Sequence, residues 1–548
     1  MCANRELLQG TLRDQLGFQG AVVTDCNALE WMAVQPPTSR GYAQNLRNAS
    51  ALALAAGTDM TCKTPRLKAP LNGTELEADL PADVIDRAAR HVLQLRVRMG
   101  HLNPPNNQPW NGLQPSEIHS PAHLNTARVL AGKSIVLLKN SQGMLPLNAT
   151  ALSSVGLFGP FAADPLAILG NYFTPPPGGA TTFLGAMQAA LGSGATVTFN
   201  SSTAAHCTPA NINADVARCQ TSRRCTCAMS PAPALHQLLP LRCHALRLQV
   251  SDVCILFLGT NMVGATNAGD TTLCAPAQEG EVLDRVTLKL NANQLSLFQA
   301  LANRTTKPLN VVLVHGGPVD VSELHDSPRV GAMLTTWLPG EGAAAVADVL
   351  LGKVAPSGHL PVTWYKEAFV EAVSMLDMRM RASAGFPGRS HRFYRGPAPL
   401  YSFGYGLSFT NFSANLSSFS VAPGSGLTVN VTVKNTGAVA AEHVVLALVS
   451  YVGPPAPAGA GAPPRAKILR SGCDPTARRA DMVQALAGYQ RSPLLGPGVS
   501  GLLRLWLPVT GGSTSAWAGF GNPQPPCGLY RLRLNTGLPA AMEVVLAV

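Results

Sequence analysis

Two acidic motifs carry the chemistry this chain is equipped to do. Asp25 closes the run Val23-Thr24-Asp25-Cys26, while Glu279 and Glu281 open Glu279-Gly280-Glu281-Val282-Leu283-Asp284-Arg285, each beside an apolar, strand-like stretch. Two carboxyl groups are the minimum for cleaving a glycosidic bond. One attacks or stabilises the anomeric carbon and the other protonates the leaving oxygen, roughly 5 Å apart in retaining enzymes. The motifs are far apart in sequence, so only a fold can unite them. Each also has a plainer local reading: an Asp at a strand end forms a turn or caps a helix, and a Glu pair ahead of Asp-Arg starts a solvated helix.

The elements that must position these groups follow from periodicity. Leu7, Leu8, Leu12 and Leu16 predict an amphipathic helix, followed by a strand over 21–24, a helix over 44–56 and a helix over 81–99. This is strand-helix material of the barrel type. The Pro- and Asn-rich stretch 101–109 reads as a linker. Residues 133–365 alternate apolar strands with helices. The runs 253–258 and 311–314 are continuous and end in Gly or His-Gly-Gly, as parallel strands covered on both faces do. From about residue 409 the texture changes to short alternating segments, such as 427–433 and 443–448, which predict a β-sandwich.

The order of these landmarks resembles glycoside hydrolase family 3, in particular its plant-type β-xylosidase and α-L-arabinofuranosidase branch. Leu16-Gly17-Phe18-Gln19-Gly20, with Val22-Val23-Thr24-Asp25, is similar to the family's nucleophile segment, and Ala56-Gly57-Thr58-Asp59-Met60 follows it. Ser134 to Asn140, Gly259-Thr260-Asn261, Glu279 to Arg285 and Leu338-Pro339-Gly340-Glu341 continue the likeness. So do Asp377 to Arg381, Pro387-Gly388-Arg389 and Tyr401 to Ser408.

The resemblance implies a multidomain α/β plus all-β chain. It would comprise a C-terminal remnant of a (β/α)8 barrel over 1–100, a linker over 101–132 and an α/β sandwich over 133–365. A connecting segment over 366–409 and a fibronectin type III-like β-sandwich over 410–548 would complete it. A whole barrel needs roughly 250 residues, so the first barrel units are expected to be absent.

The resemblance further implies roles. Asp25 is the nucleophile and must stay ionised. Glu281 is the acid/base, since it lies three residues before Asp284-Arg285, with Glu279 as the alternative. The implied activity is exo-acting release of xylose or arabinose from xylan-derived oligosaccharides. The family's sugar-gripping side chains come mostly from earlier barrel strands, so the chain as it stands is expected to be inactive. Two further readings stay open: a β-glucosidase of the same family, and a non-catalytic glycan-binding protein. Two-carboxylate hydrolysis needs neither metal nor organic cofactor.

Composition fits a globular secreted protein. Hydrophobic residues make up 46% and charged residues 13% of the chain, which provides core material and argues against bulk disorder. The net charge of +11 is spread without a dense Lys/Arg run, so nucleic acid is not an expected partner. Asn-x-Ser/Thr sequons at Asn48, Asn72, Asn148, Asn200, Asn303, Asn411, Asn415 and Asn430 point to an exported glycoprotein. The twelve cysteines point the same way, although the first residues hold no apolar signal core. Cys26 with Cys62, Cys207 with Cys219 and Cys473 with Cys527 are the pairings to test. Cys219, Cys225, Cys227 and Cys243 are the weak zinc alternative. Residues 220–248 lose all periodicity and read as an insertion or a translated intron.

Overall fold

The computed structural model describes residues 1–33, 42–62, 78–104, 107–170, 172–173, 176, 178–199, 251–261, 279–280, 284–422, 426–453, 465–469, 483–508, 528–534 and 541–547. Within them the chain forms two compact units, Met1–Ile118 and His119–Val548. The segment 220–248, and with it the zinc alternative, lies outside the described residues, as do Cys207, Cys473 and Cys527.

The first unit holds helices α1 (Glu6–Gln15, wound as a π-helix), α2 (Ala28–Ala33), α3 (Leu46–Ala56) and α4 (Ala82–Arg98). Helix α3 begins where the Asn45 side chain accepts from the backbone N–H of Asn48, a local cap that satisfies an orphan donor. It ends at Gly57, whose φ of 119° closes the helix in a conformation other residues avoid. The strand predicted over 21–24 shrinks to one parallel bridge, Val23 to Met60. Of the four leucines that predict the first helix only Leu8 is buried, and Leu16, just past the end of α1, is 64% exposed. The small core of this unit is built instead from Leu29, Ala43, Ala49 and Ala53.

The second unit opens with helix α5 (Pro121–Ser134), capped by Ser120, within the stretch read as a linker. A six-stranded mixed sheet follows, built from β1 (Val136–Asn140), β2 (Ser154–Phe158), β3 (Thr196–Phe199), β4 (Val253–Gly259), β5 (Leu309–Val314) and β6 (Val330–Thr335). Its order is β1-β6-β5-β4-β2-β3. All neighbours are parallel except β1 against β6. Helices α6 (Phe183–Leu191), α7 (Ala292–Arg304), α8 (Ser322–Asp326) and α9 (Ala343–Leu350) cover the sheet.

Alternation along the strands divides the core in two. Ile255, Phe257, Val312 and Val314 face α5, α6 and α9. Leu256, Leu258, Val311 and Leu313 face α7 and α8. Both faces of β4 and β5 are therefore dry, which is why their sequences are unbroken apolar runs. Two short helices, α10 (Ala368–Ala372) and α11 (Ser390–Phe393), lead to the last part of the chain.

The remaining strands are β7 (Phe412–Ala422), β8 (Gly426–Asn435), β9 (Val444–Gly453), β10 (Arg465–Leu469), β11 (Ala485–Arg491), β12 (Ser500–Pro508), β13 (Gly528–Leu534) and β14 (Ala541–Ala547). They form a three-stranded sheet, β12-β8-β7, and a five-stranded sheet, β10-β14-β13-β9-β11. Every pairing is antiparallel apart from β10 with β14. Val429, Val431, Leu503 and Leu505 of the first sheet share a core with Val445, Ala447, Tyr530 and Leu532 of the second. Leu502 and Trp506 point outward, the period of two that a half-solvated sheet requires. Among the described residues no helix is long and apolar enough to cross a membrane.

Candidate active site

Asp25 lies in the first unit, immediately after the Val23 bridge. The segment is laced to residues 59–62: the N–H of Asp59 donates to Val22 O at 2.9 Å and that of Thr24 to Met60 O at 3.0 Å. A disulfide joins Cys26 to Cys62, one of the pairings the sequence suggested. Thr24 Oγ1 accepts from the N–H of Cys62 at 3.2 Å. Asp25 itself is exposed. Its Oδ1 accepts from the N–H of Cys26 at 2.8 Å, and its carbonyl accepts from Ala28 N–H at the start of α2. The carboxylate thus stands at a strand end, on a stapled backbone, with its other oxygen open to a reaction partner.

Behind this segment sits a buried charge cluster. The Asp59 side chain is fully buried and pairs with Arg13 at 2.6 Å and the His91 ring at 2.8 Å.

The second unit supplies the other carboxylate, Glu279, in a different environment. Its Oε1 accepts from Thr260 Oγ1 at 2.5 Å and from the N–H of Gly316 at 3.1 Å. Its Oε2 is 2.6 Å from Nε of Arg285. The first two donors come from the ends of β4 and β5, so the sheet fixes them. Gln294 on α7 clips Gly259 from both sides, accepting from its N–H at 2.8 Å and donating to its carbonyl at 2.9 Å. A Cβ at Gly259 would lie 1.6 Å from Val314 O, so only glycine lets β4 end this close to β5.

Next to Gly316, His315 is fully buried. Its Nε2 meets Thr335 Oγ1 at 2.8 Å, and its ring packs against Trp337 and Trp364. Burial, followed by the nearby Arg285 charge, pushes its pKa down to about 3. The ring is therefore neutral and serves as packing beneath the Gly316 turn. Burial also lowers the Arg285 pKa, opposed by the Glu279 carboxylate. Arg285 donates as well to Pro318 O at 2.9 Å. Downstream, Glu367 accepts from Thr287 Oγ1 and Leu288 N–H, both at 2.7 Å.

Glu279, Gly280, Asp284 and Arg285 line a cleft of about 700 Å³ with Tyr172, Gly316, Phe369, Met375 and Arg389. That volume is in the range of small-molecule sites. Glu281 lies outside the described residues.

Comparison with known proteins follows the same division. Residues 1–95 match the glycosyl hydrolase family 3 N-terminal domain and residues 135–409 the glycosyl hydrolase family 3 C-terminal domain. The chain belongs to glycosyl hydrolase family 3. Its family 3 relatives include probable β-D-xylosidase 7 of Arabidopsis thaliana, 32% identical over 415 residues, covering 75% of this chain and 47% of that protein. Among solved structures, the chain is similar over its whole length to an exo-β-xylosidase bound to a xylobiose aziridine activity-based probe. That match has a TM-score of 0.77 and 26% identity, and covers 64% of the solved chain. A β-glucosidase from Erythrobacter marinus shares the fold at 23% identity and a TM-score of 0.71, covering all of this chain and 66% of that one. The chain spans about half the length of the curated relatives it matches.

Several participants had no role assigned from sequence. Thr260 and Arg389 stood in landmark motifs without a function, and Gly316 marked only a strand end. Arg13 and His91 gave no signal, because their partner Asp59 is distant in the chain.

Proposed function

We propose that this chain carries the two carboxylates of a retaining O-glycosyl hydrolase that releases xylose or arabinose from xylan-derived oligosaccharides. The observation that carries the reading is the contrast at Asp25: a rigidly stapled backbone presenting an exposed carboxylate with one local hydrogen bond. Asp25 attacks the anomeric carbon while Glu281 protonates the leaving oxygen. Glu281 then takes a proton from water, which releases the sugar from Asp25. Glu279 serves as the anchor of this loop. Donors on both of its oxygens suit a carboxylate that holds a loop better than one that gives up a proton.

On this reading residues 1–100 are barrel material, 101–132 a linker, 133–365 the α/β sandwich, 366–409 a connecting segment and 410–548 a fibronectin type III-like domain. The names of the relatives, β-xylosidases from a plant source and among solved structures, support xylose over glucose. Export with N-glycans at Asn148 and Asn415, both exposed, fits the same reading.

The test is a panel of aryl β-xyloside, α-L-arabinofuranoside and β-glucoside substrates on the chain and its Asp25→Ala variant. Xyloside turnover, lost in the variant and rescued by azide with an inverted glycosyl azide as product, supports the reading. A strong glucoside preference would move the chain to the β-glucosidases. Binding of xylo-oligosaccharides without hydrolysis, unchanged by Asp25→Ala, would make it a glycan-binding protein.

A further inference from the structure

We infer that Asp59 is a positioning residue for Asp25, acting as a buried anionic clamp on the backbone that leads to it. The inference rests on the reading of Asp25 as nucleophile. Asp59 Oδ2 accepts from the N–H of Val22 at 2.8 Å and from Arg13 Nη2 at 2.6 Å, and Oδ1 meets His91 Nδ1 at 2.8 Å. The carboxylate therefore ties three elements together: α1 through Arg13, α4 through His91 and the nucleophile segment through Val22. Arg13 extends the clamp, since its Nη1 donates to Phe18 O at 3.4 Å and Gly20 O at 3.1 Å. The Asp59 side chain is 0% exposed and that of Arg13 6%, so their attraction is little screened by solvent.

This geometry answers a need created by the weak strand. A single bridge at Val23 cannot fix a backbone the way an extended ladder does. Beyond that bridge, Thr24 holds the residue just before Asp25 and the Cys26–Cys62 disulfide the residue just after it. Asp59 and Arg13 hold the near side, at residues 18, 20 and 22. Asp59 is buried and bonds to Val22, Arg13 and His91 rather than to Asp25, so its contribution is to place the attacking oxygen. Misplacing a reacting group by about 1 Å costs on the order of 100-fold in rate.

The test compares Asp59→Asn and Arg13→Lys with the unaltered chain in two assays. Asp59→Asn keeps the side-chain volume but removes the charge and turns a donor toward the donors it faced. Arg13→Lys keeps the charge but loses the fork that reaches Phe18 O and Gly20 O. Hydrogen exchange is expected to rise at least about tenfold at the amides of residues 18–26 in Asp59→Asn, and less in Arg13→Lys, with α3 and the second unit unchanged. Kinetics on an aryl xyloside are expected to show kcat falling about 100-fold with KM within about twofold.

Unchanged exchange at residues 18–26 overturns the clamp. So does faster exchange spread through the whole first unit, which would mark Asp59 as a general fold stabiliser. A KM rise without a kcat loss also overturns it. If the unaltered chain turns over no glycoside, the kinetic comparison drops out and the exchange result alone decides the clamp.

Discussion

The two carboxylate neighbourhoods are built on opposite plans. Among the described residues around Asp25 the regular structure is minimal, one bridge and short helices, and the backbone is secured by a disulfide, a hydroxyl and a buried charge cluster. Around Glu279 two donors follow the ends of the largely buried strands β4 and β5, and the side chain is tied down by Thr260, Gly316 and Arg285. The lesson is that an acidic motif does not by itself define a role. The exposed carboxylate sits on locally clamped backbone, while the other is itself held by donors on both oxygens.

The sharpest way to break this comparison is to remove the exposed carboxylate. Asp25→Ala is expected to lower kcat/KM by on the order of 10⁴-fold or more, with the unfolding midpoint unchanged. Steady-state kinetics and a urea titration check both halves, and a large stability loss would contradict the exposed setting of Asp25. Removing the partner of the bound carboxylate should do the reverse. Arg285→Ala leaves Glu279 without its ion pair, and the unfolding free energy should fall by about 3 kcal/mol. The Glu279→Gln and Arg285→Ala double variant should lose less than the sum of the single losses, and strict additivity would show that the pair is not coupled.

A third effect is smaller and depends on pH. His315 has a folded pKa pushed down from 6.5 to about 3, so below 6.5 the unfolded chain takes up a proton that the folded chain refuses. Stability must therefore fall as pH drops from about 6.5 toward about 3. His391 and His443, both lowered to about 4 chiefly by burial, add to the same slope. Urea midpoints at pH 7 and pH 5 should differ, and His315→Asn should reduce the difference. An unaltered slope would mean that His315 is not buried neutral. The smallest effect is expected at the surface pair Arg47–Asp79: Arg47→Ala should leave the melting temperature unchanged, because exposed ion pairs contribute little.

Local signals were legible in the sequence and non-local ones were not. Helices α3 and α4 fall within two residues of their predicted spans, because caps and periodicity are local properties. Strands β4 and β5 announced themselves as apolar runs bounded by glycine. The failures came where tertiary packing overruled pattern. Leu7 and Leu16 keep helical spacing yet stay exposed, and most of α5, residues 121–132, falls inside the stretch 101–132 read as a linker. At the site, the motifs singled out Asp25 and Glu281, with Glu279 as the alternative, but not what surrounds Asp25 and Glu279. Thr260 and Gly316 reach Glu279 only because the sheet aligns β4 with β5, and Arg13 meets Asp59 only once the first unit has folded.

The edge strand β1 imposes an order on synthesis. It is the first strand of its sheet to leave the ribosome, yet its neighbour is β6, the last strand of that sheet in the chain. Leu137 also bridges to Leu407, later still. At roughly 5–20 residues per second, Val136, Leu137 and Leu138 wait many seconds before their strand partner β6 exists. A nascent chain halted ahead of residue 330 leaves this apolar triplet uncovered, so chaperone capture during translation should concentrate there.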